Sequence, residues 1–178
     1  MKNPLEALLS FVRARSGNQN INYSQRITAS EKTVGNKNLA LINLMKSFGN
    51  IENPIDDVMD FYYKLCSIEM NCAELSRTFL YLANYGIDPF SEEKILSKSK
   101  SKRINAVMQL CGLYDEAGEF SFRVGLPGKS GVGGGIVAVY PNNYCIAVWS
   151  PRLNKKGNSL KGVKFLEKFT TETRSSIF

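Results

Sequence analysis

Residues 126–140 read LPGKSGVGGGIVAVY: a Lys-Ser-Gly step, glycines on both sides of Val132, then an apolar run rich in β-branched side chains. The run marks a change of period. Upstream, apolar residues recur at helical spacing. From here on, GGGIVAVY, the turn residues PNN and YCIAVWS have the length and composition of strands, which predicts an antiparallel hairpin. The glycines admit two readings. A backbone N–H stabilises a developing oxyanion only if it is unshielded and the chain can turn to present it; the glycines around Val132 supply that freedom, with Lys129 adding a cation and Ser130 a rotatable donor at the same edge. The same cluster also fits a β-bulge or a close helix-to-sheet contact with no chemistry attached.

Working outward, NPLEALLSFVRARSG places Leu5, Leu8, Leu9 and Val12 on one helical face and stops at Gly17. After a polar, irregular stretch, a helical segment from about Ser30 carries Leu41, Leu44, Met45 and Phe48. Asn53 reads as an N-cap, with Pro54 opening PIDDVMDFYYKLCS and two acids in its first turn. Asn71 caps CAELSRTFLYLANYG, where Leu75, Phe79 and Leu82 share a face and Gly86 is the stop. Ser91, Glu92 and Glu93 start a helical stretch that resumes in RINAVMQLCG, and DEAG is a turn. Beyond the hairpin, GNSLKGVKFLEKFTT forms a helix through Leu160, Val163, Leu166 and Phe169, capped by Asn158 or Ser159. Helices, a small antiparallel sheet and a C-terminal covering helix make an α+β layout, and 178 residues suit a single domain over 1–178.

Composition narrows the chemistry. The chain has no histidine, which removes Ser-His-Asp and Cys-His machinery and makes zinc improbable, so hydrolytic chemistry falls to Lys, Tyr, carboxylates or backbone groups. No cofactor or metal site is expected. Cys66, Cys72, Cys111 and Cys145 form no C-x-x-C pair and read as buried thiols of a cytoplasmic protein. No apolar run reaches the length of a membrane span. The net charge of +7 allows an anionic partner, but Lys98, Lys100 and Lys102 recur every second residue and spread around a helix without interleaved aromatics, so no nucleic-acid partner is expected.

Two further groups carry polar chemistry. Glu31 and Asn38 in SEKTVGNKN are seven residues apart, two helical turns, so on a continuous helix a carboxylate and an amide project from one face, suited to an ammonium and a carboxylate; Gly35 between them weakens the helix. Tyr62, adjacent to Tyr63 but on another face, and Tyr114, after CGL at a turn, supply phenols that bind a carboxylate or move a proton, or simply pack.

The words KSFGNIE, LCSIEMNC, CGLYDEAGEFSFRVGLPGKSGVGGGIVAV and AVWSPRLNKKGNSLKGVKFLE together resemble the serine-dependent glutaminases, which share the fold of the serine β-lactamases and penicillin-binding proteins. The resemblance implies hydrolysis of L-glutamine to L-glutamate and ammonia by acyl transfer. It implies that Lys129-Ser130-Gly131 is the Lys-Thr-Gly strand element of that superfamily, with Lys129 and Ser130 supporting the pocket. It implies Val132 as the oxyanion-hole residue, Glu31 and Asn38 gripping the amino-acid end of the substrate, Tyr62 on its α-carboxylate side, and Tyr114 beside the nucleophile. The family's Ser-x-x-Lys nucleophile and a further substrate-binding asparagine lie upstream of the glutamate. Neither has a match here: Ser91 with Lys94, Ser97 with Lys100 and Ser99 with Lys102 fit the spacing alone, in a helix cap and a polar lysine run and not in the desolvated pocket an activated Ser-Lys pair needs. The expectation is therefore a truncated glutaminase, inactive as this chain alone. It would be completed by an N-terminal half or an oligomer seated on the open edge of the last strand, around residues 145–149. The alternative is a non-catalytic amino-acid-binding or assembly module derived from one. Tyr85 stands where the family usually has glycine.

Overall fold

In the computed structural model, which describes residues 3–178, helix α1 (Pro4–Ser16) begins at Asn3, whose side chain accepts the Glu6 N–H at 3.1 Å, and ends at Gly17 with φ 77°. Contacts divide the chain into two compact units, Met1–Met70 and Asn71–Phe178. In the first, α1 is followed by α2 (Gln25–Val34), α3 (Asn36–Ser47) and α4 (Ile55–Cys66), and each of the other three packs on α4. The single helix expected from about Ser30 is thus two helices, broken at Gly35. Gly35 is buried against the Tyr63 phenol, where a side chain would overlap the ring. The break resets the helical phase, so the expected apolar stripe faces outward: Leu44 is 55% and Phe48 73% exposed, with Leu41 and Met45 also exposed. Ile42 is the α3 residue that turns inward, against Met59 and Tyr63. Pro54, not Asn53, occupies the N-cap of α4, and no side chain caps that end; Asp56 and Asp57 take the first turn as expected.

The second unit opens with α5 (Cys72–Ala83), where Asn71 Oδ1 accepts the Glu74 N–H and the Glu74 carboxylate accepts the Asn71 N–H, a reciprocal capping box. The helical stretch expected from Ser91 is corrected. Asp88 Oδ1 instead accepts the amides of Phe90 and Ser91, Glu92 adopts φ 58°, and α6 (Lys98–Cys111) starts only after Ser97, whose hydroxyl accepts the Lys100 N–H. DEAG is also not a loop turn. A single 3₁₀ turn, Tyr114–Glu116, runs directly into α7 (Ala117–Val124), which closes at Gly125 with φ 69°.

Three antiparallel strands follow, β1 (Gly128–Ser130), β2 (Gly135–Tyr140) and β3 (Tyr144–Trp149), in the order β1-β2-β3, and α8 (Leu160–Thr173) closes the chain. Ser130 pairs with Ile136, and Tyr140 with Tyr144 across the Pro-Asn-Asn turn. The central place of β2 explains why IVAV is apolar at both parities. Ile136 and Ala138 face a core of Leu113, Phe120, Val124, Leu126 and Leu166 from the α7 and α8 side, while Val139 packs on Leu82 and Ala83 of α5. Ser159 caps α8 by accepting the Gly162 N–H, which decides between the two candidate caps. The cysteines are less covered than expected: Cys66 and Cys111 are exposed and Cys72 and Cys145 half-buried, because they fall at helix ends and on the outer strand. No helix among the described residues is long and apolar enough to cross a membrane.

Candidate active site

The Lys-Ser-Gly step lies in an edge strand of the sheet. Beyond it, the glycine loop is tied at three points and open at a fourth. Gly131 N–H donates to Gly135 O and Gly134 N–H to Gly131 O, both at 2.9 Å, and the Trp149 indole N–H donates to Gly133 O at 2.9 Å. Among the described residues no partner is found for the Val132 N–H; Val132 is 61% exposed, and Gly131 and Gly133 border open space. Gly134, at φ 93° and close to the Ser150 carbonyl, answers a structural need, whereas a β-carbon at Gly131 or Gly133 would meet only open space.

Tyr114 faces this edge. Its φ of 52° is a left-handed conformation that costs a non-glycine residue about 1–2 kcal/mol, held where the chain leaves α6 for the 3₁₀ turn. Lys129 Nζ lies 4.8 Å from the centroid of the Tyr114 ring and donates to the Ser130 carbonyl. A phenol, an ammonium and the unpartnered backbone N–H of the exposed Val132 are thus carried on one stretch of sheet edge and the turn against it. Ser130 departs from expectation. Its side chain is 2% exposed and donates inward to Asn158 Oδ1 at 2.5 Å, so it is not a rotatable donor at the mouth.

Glu31, Asn38 and Tyr62 belong to the first unit, on α2, α3 and α4. Because the helix breaks at Gly35, Glu31 and Asn38 do not share the face of one continuous helix; both are half-buried, at the two sides of the break. Tyr62 and Tyr63 differ in burial although their rings touch. Tyr63 is buried with Ile42 and Met59, and Tyr62 is partly exposed, its ring edge-on to Tyr63 at 6.2 Å.

Sequence reading missed three residues beneath the β1 edge. Asn158 is fully buried, and its side-chain amide donates to the Leu113 carbonyl at 3.1 Å and to Glu116; Asn154 Nδ2 reaches both Glu116 oxygens at 2.8 Å. The signal that could have found the two asparagines is the largely polar run at 154–159 directly before an apolar helix, which reads locally as a cap. The three Ser-x-x-Lys spacings within the chain are surface features. Ser91 and Lys94 sit in the exposed turn, Ser97 is spent on capping α6, and Ser99 and Lys102 are exposed on that helix.

The glutaminase family model matches residues 1–178. A glutaminase of Saccharophagus degradans is 55% identical over 178 residues, which is 100% of this chain and 58% of that protein. One of Christiangramia forsetii is 53% identical over 178 residues, 100% of this chain and 59% of its own length. The crystal structure of a Bacillus subtilis glutaminase in covalent complex with 5-oxo-L-norleucine, formed by reaction with 6-diazo-5-oxo-L-norleucine, matches with a TM-score of 0.91 at 30% identity, covering 98% of this chain and 62% of that one. The chain spans somewhat less than two thirds of each of these proteins. The likeness bears out the α+β, serine β-lactamase-like fold expected from the sequence. By the match of the family model along its whole length, the chain belongs to the glutaminase family.

Proposed function

We propose that this chain forms part of a single catalytic domain that hydrolyses the side-chain amide of L-glutamine to L-glutamate and ammonia. The observation that carries this reading is the exposed residue Val132, whose N–H has no partner among the described residues, on the same edge as the Lys129 ammonium and the Tyr114 phenol. In the proposed reaction a hydroxyl attacks the amide carbon, the oxygen takes up negative charge facing the Val132 N–H, and the C–N bond breaks as ammonia receives a proton. Water then cleaves the ester. Tyr114 stands beside the nucleophile and relays its proton. Glu31 holds the substrate ammonium, Asn38 the α-carboxylate, and Tyr62 lines the α-carboxylate side. Lys129 and Ser130 support the pocket. Since none of the Ser-x-x-Lys spacings lies in a desolvated pocket, the attacking hydroxyl comes from outside these 178 residues.

The outer edge of β3 has no strand partner among the described residues, which supports a further strand from the rest of the protein or from a second copy pairing there. A cytoplasmic setting belongs to the same reading. The test is treatment of the purified chain with glutamine and with 6-diazo-5-oxo-L-norleucine, followed by ammonia assay and mass spectrometry. No ammonia and no covalent adduct are expected until the remainder of a glutaminase domain is supplied. An adduct on one of the chain's own serines would overturn the assignment.

A further inference from the structure

Asn158 ties together three residues distant from it in sequence. Its Oδ1 accepts the Ser130 hydroxyl at 2.5 Å, and its Nδ2 donates to the Leu113 carbonyl at 3.1 Å and to Glu116. Its backbone is fixed as well: Asn158 N–H donates to Asn154 Oδ1 at 3.1 Å, and Asn154 N–H to the Asn158 carbonyl at 2.8 Å. Asn154 Nδ2 in turn holds both oxygens of Glu116 at 2.8 Å. Every polar group of this buried amide is engaged. An apolar residue of the same shape would fill the site without demanding three matched side-chain partners, so the network is not needed merely to fill the core.

The points it joins are the ones that carry the proposed chemistry. Ser130 is two residues before Val132, Leu113 immediately precedes the left-handed Tyr114, and Glu116 ends the 3₁₀ turn that holds Tyr114. A strained residue keeps its conformation only when surrounding contacts over-determine it. We propose that Asn158 is a positioning residue for amide cleavage: through Ser130 and through Leu113 and Glu116 it holds the Val132 N–H and the Tyr114 phenol in one fixed relation. This rests on the reading of that edge as the amide-cleaving edge. It explains why a hydroxyl residue occupies position 130 although its oxygen points away from the mouth. Threonine carries the same hydroxyl donor.

The test uses Ser130→Ala, which removes one bond of the network and leaves Glu116 satisfied, with Ser130→Thr as rescue; Asn158→Leu is secondary because it strips Glu116 of a donor. In ¹H–¹⁵N spectra of the purified chain, Ser130→Ala is expected to shift or broaden the Tyr114 and Val132 amides together while Thr28 in the other unit stays put, and Ser130→Thr to return both. In the complete glutaminase, Ser130→Ala is expected to lower kcat on the order of tenfold to a hundredfold, with KM within about twofold of wild type. Tyr114 and Val132 resonances unmoved by Ser130→Ala, or a kcat unchanged by it, would overturn the proposal. If the wild-type assembly releases no ammonia, the function reading fails, and the resonances still decide whether Asn158 couples the two groups.

Discussion

At the scale of single residues, backbone conformation and side-chain chemistry pull against each other. Tyr85 adopts φ 54°, and the Lys98 ammonium lies 4.2 Å from its ring centroid. Left-handed backbone costs a β-carbon about 1–2 kcal/mol, the cation over the ring returns about 0.5–1 kcal/mol, and glycine forfeits about 0.5–1 kcal/mol in chain entropy. Tyr85→Gly therefore relieves strain by nearly what it loses and is expected to leave the denaturant midpoint almost unchanged. Tyr85→Ala keeps the strain and loses the ring, so it should destabilise by about 0.5–1 kcal/mol. A glycine variant less stable than the alanine one by the chain-entropy cost of about 0.5–1 kcal/mol would show that residue 85 carries no backbone strain. Tyr114 shares the conformation but not the logic, because its ring faces Lys129 at the candidate site and glycine there would remove the phenol.

Among elements, the junction of α6 with the sheet decides how closely the turn bearing Tyr114 approaches β1. Gly112 caps α6 with its N–H on the Met108 carbonyl and accepts the Ser130 N–H at 3.0 Å on its own carbonyl. Its φ of −68° and ψ of −23° suit any residue, so helix propensity favours alanine by roughly 0.8–1 kcal/mol. Packing says the opposite: a β-carbon would overlap the Gly128 carbonyl, and both sides of the clash are backbone. Separating helix end from strand would break the Ser130 to Gly112 bond and open the core around Leu113. Gly112→Ala is expected to destabilise by about 2 kcal/mol or more, read as a lowered urea midpoint. A neutral or stabilising effect would mean that the strand edge yields freely, and the close approach of Tyr114 to Lys129 would lose its structural cause.

At the scale of the whole molecule, one exposed charge cluster has a clear pH signature. Asp60 binds Lys32 at 2.6 Å and Lys64 at 2.5 Å, and these hydrogen bonds, Lys32's first, hold its carboxyl below the ordinary value of 3.8. A carboxyl depressed on folding adds stability that is fully present above its unfolded value and is lost as pH falls through the folded one. Being exposed and screened, the pair is worth about 0.5–1 kcal/mol. Asp60→Asn should lower the urea midpoint at pH 7 and cease to differ from wild type near pH 2; a gap that persists at pH 2 would assign the effect to packing. Across the molecule, elements governed by neighbours within a turn were legible in the sequence: the α1 termini, the Asn71 capping box, the β2–β3 hairpin and α8, together with the family-bearing words around residues 111–138. A cap or a strand period is settled by residues within about four positions of one another. What only the tertiary structure decided is which way things face. The stripe of α3 turned outward because Gly35 reset the helical phase against Tyr63, and Ser130 turned inward because Asn158, 28 residues away, accepts its hydroxyl. Those outcomes depend on contacts that exist only once distant segments have packed, and no local period encodes them.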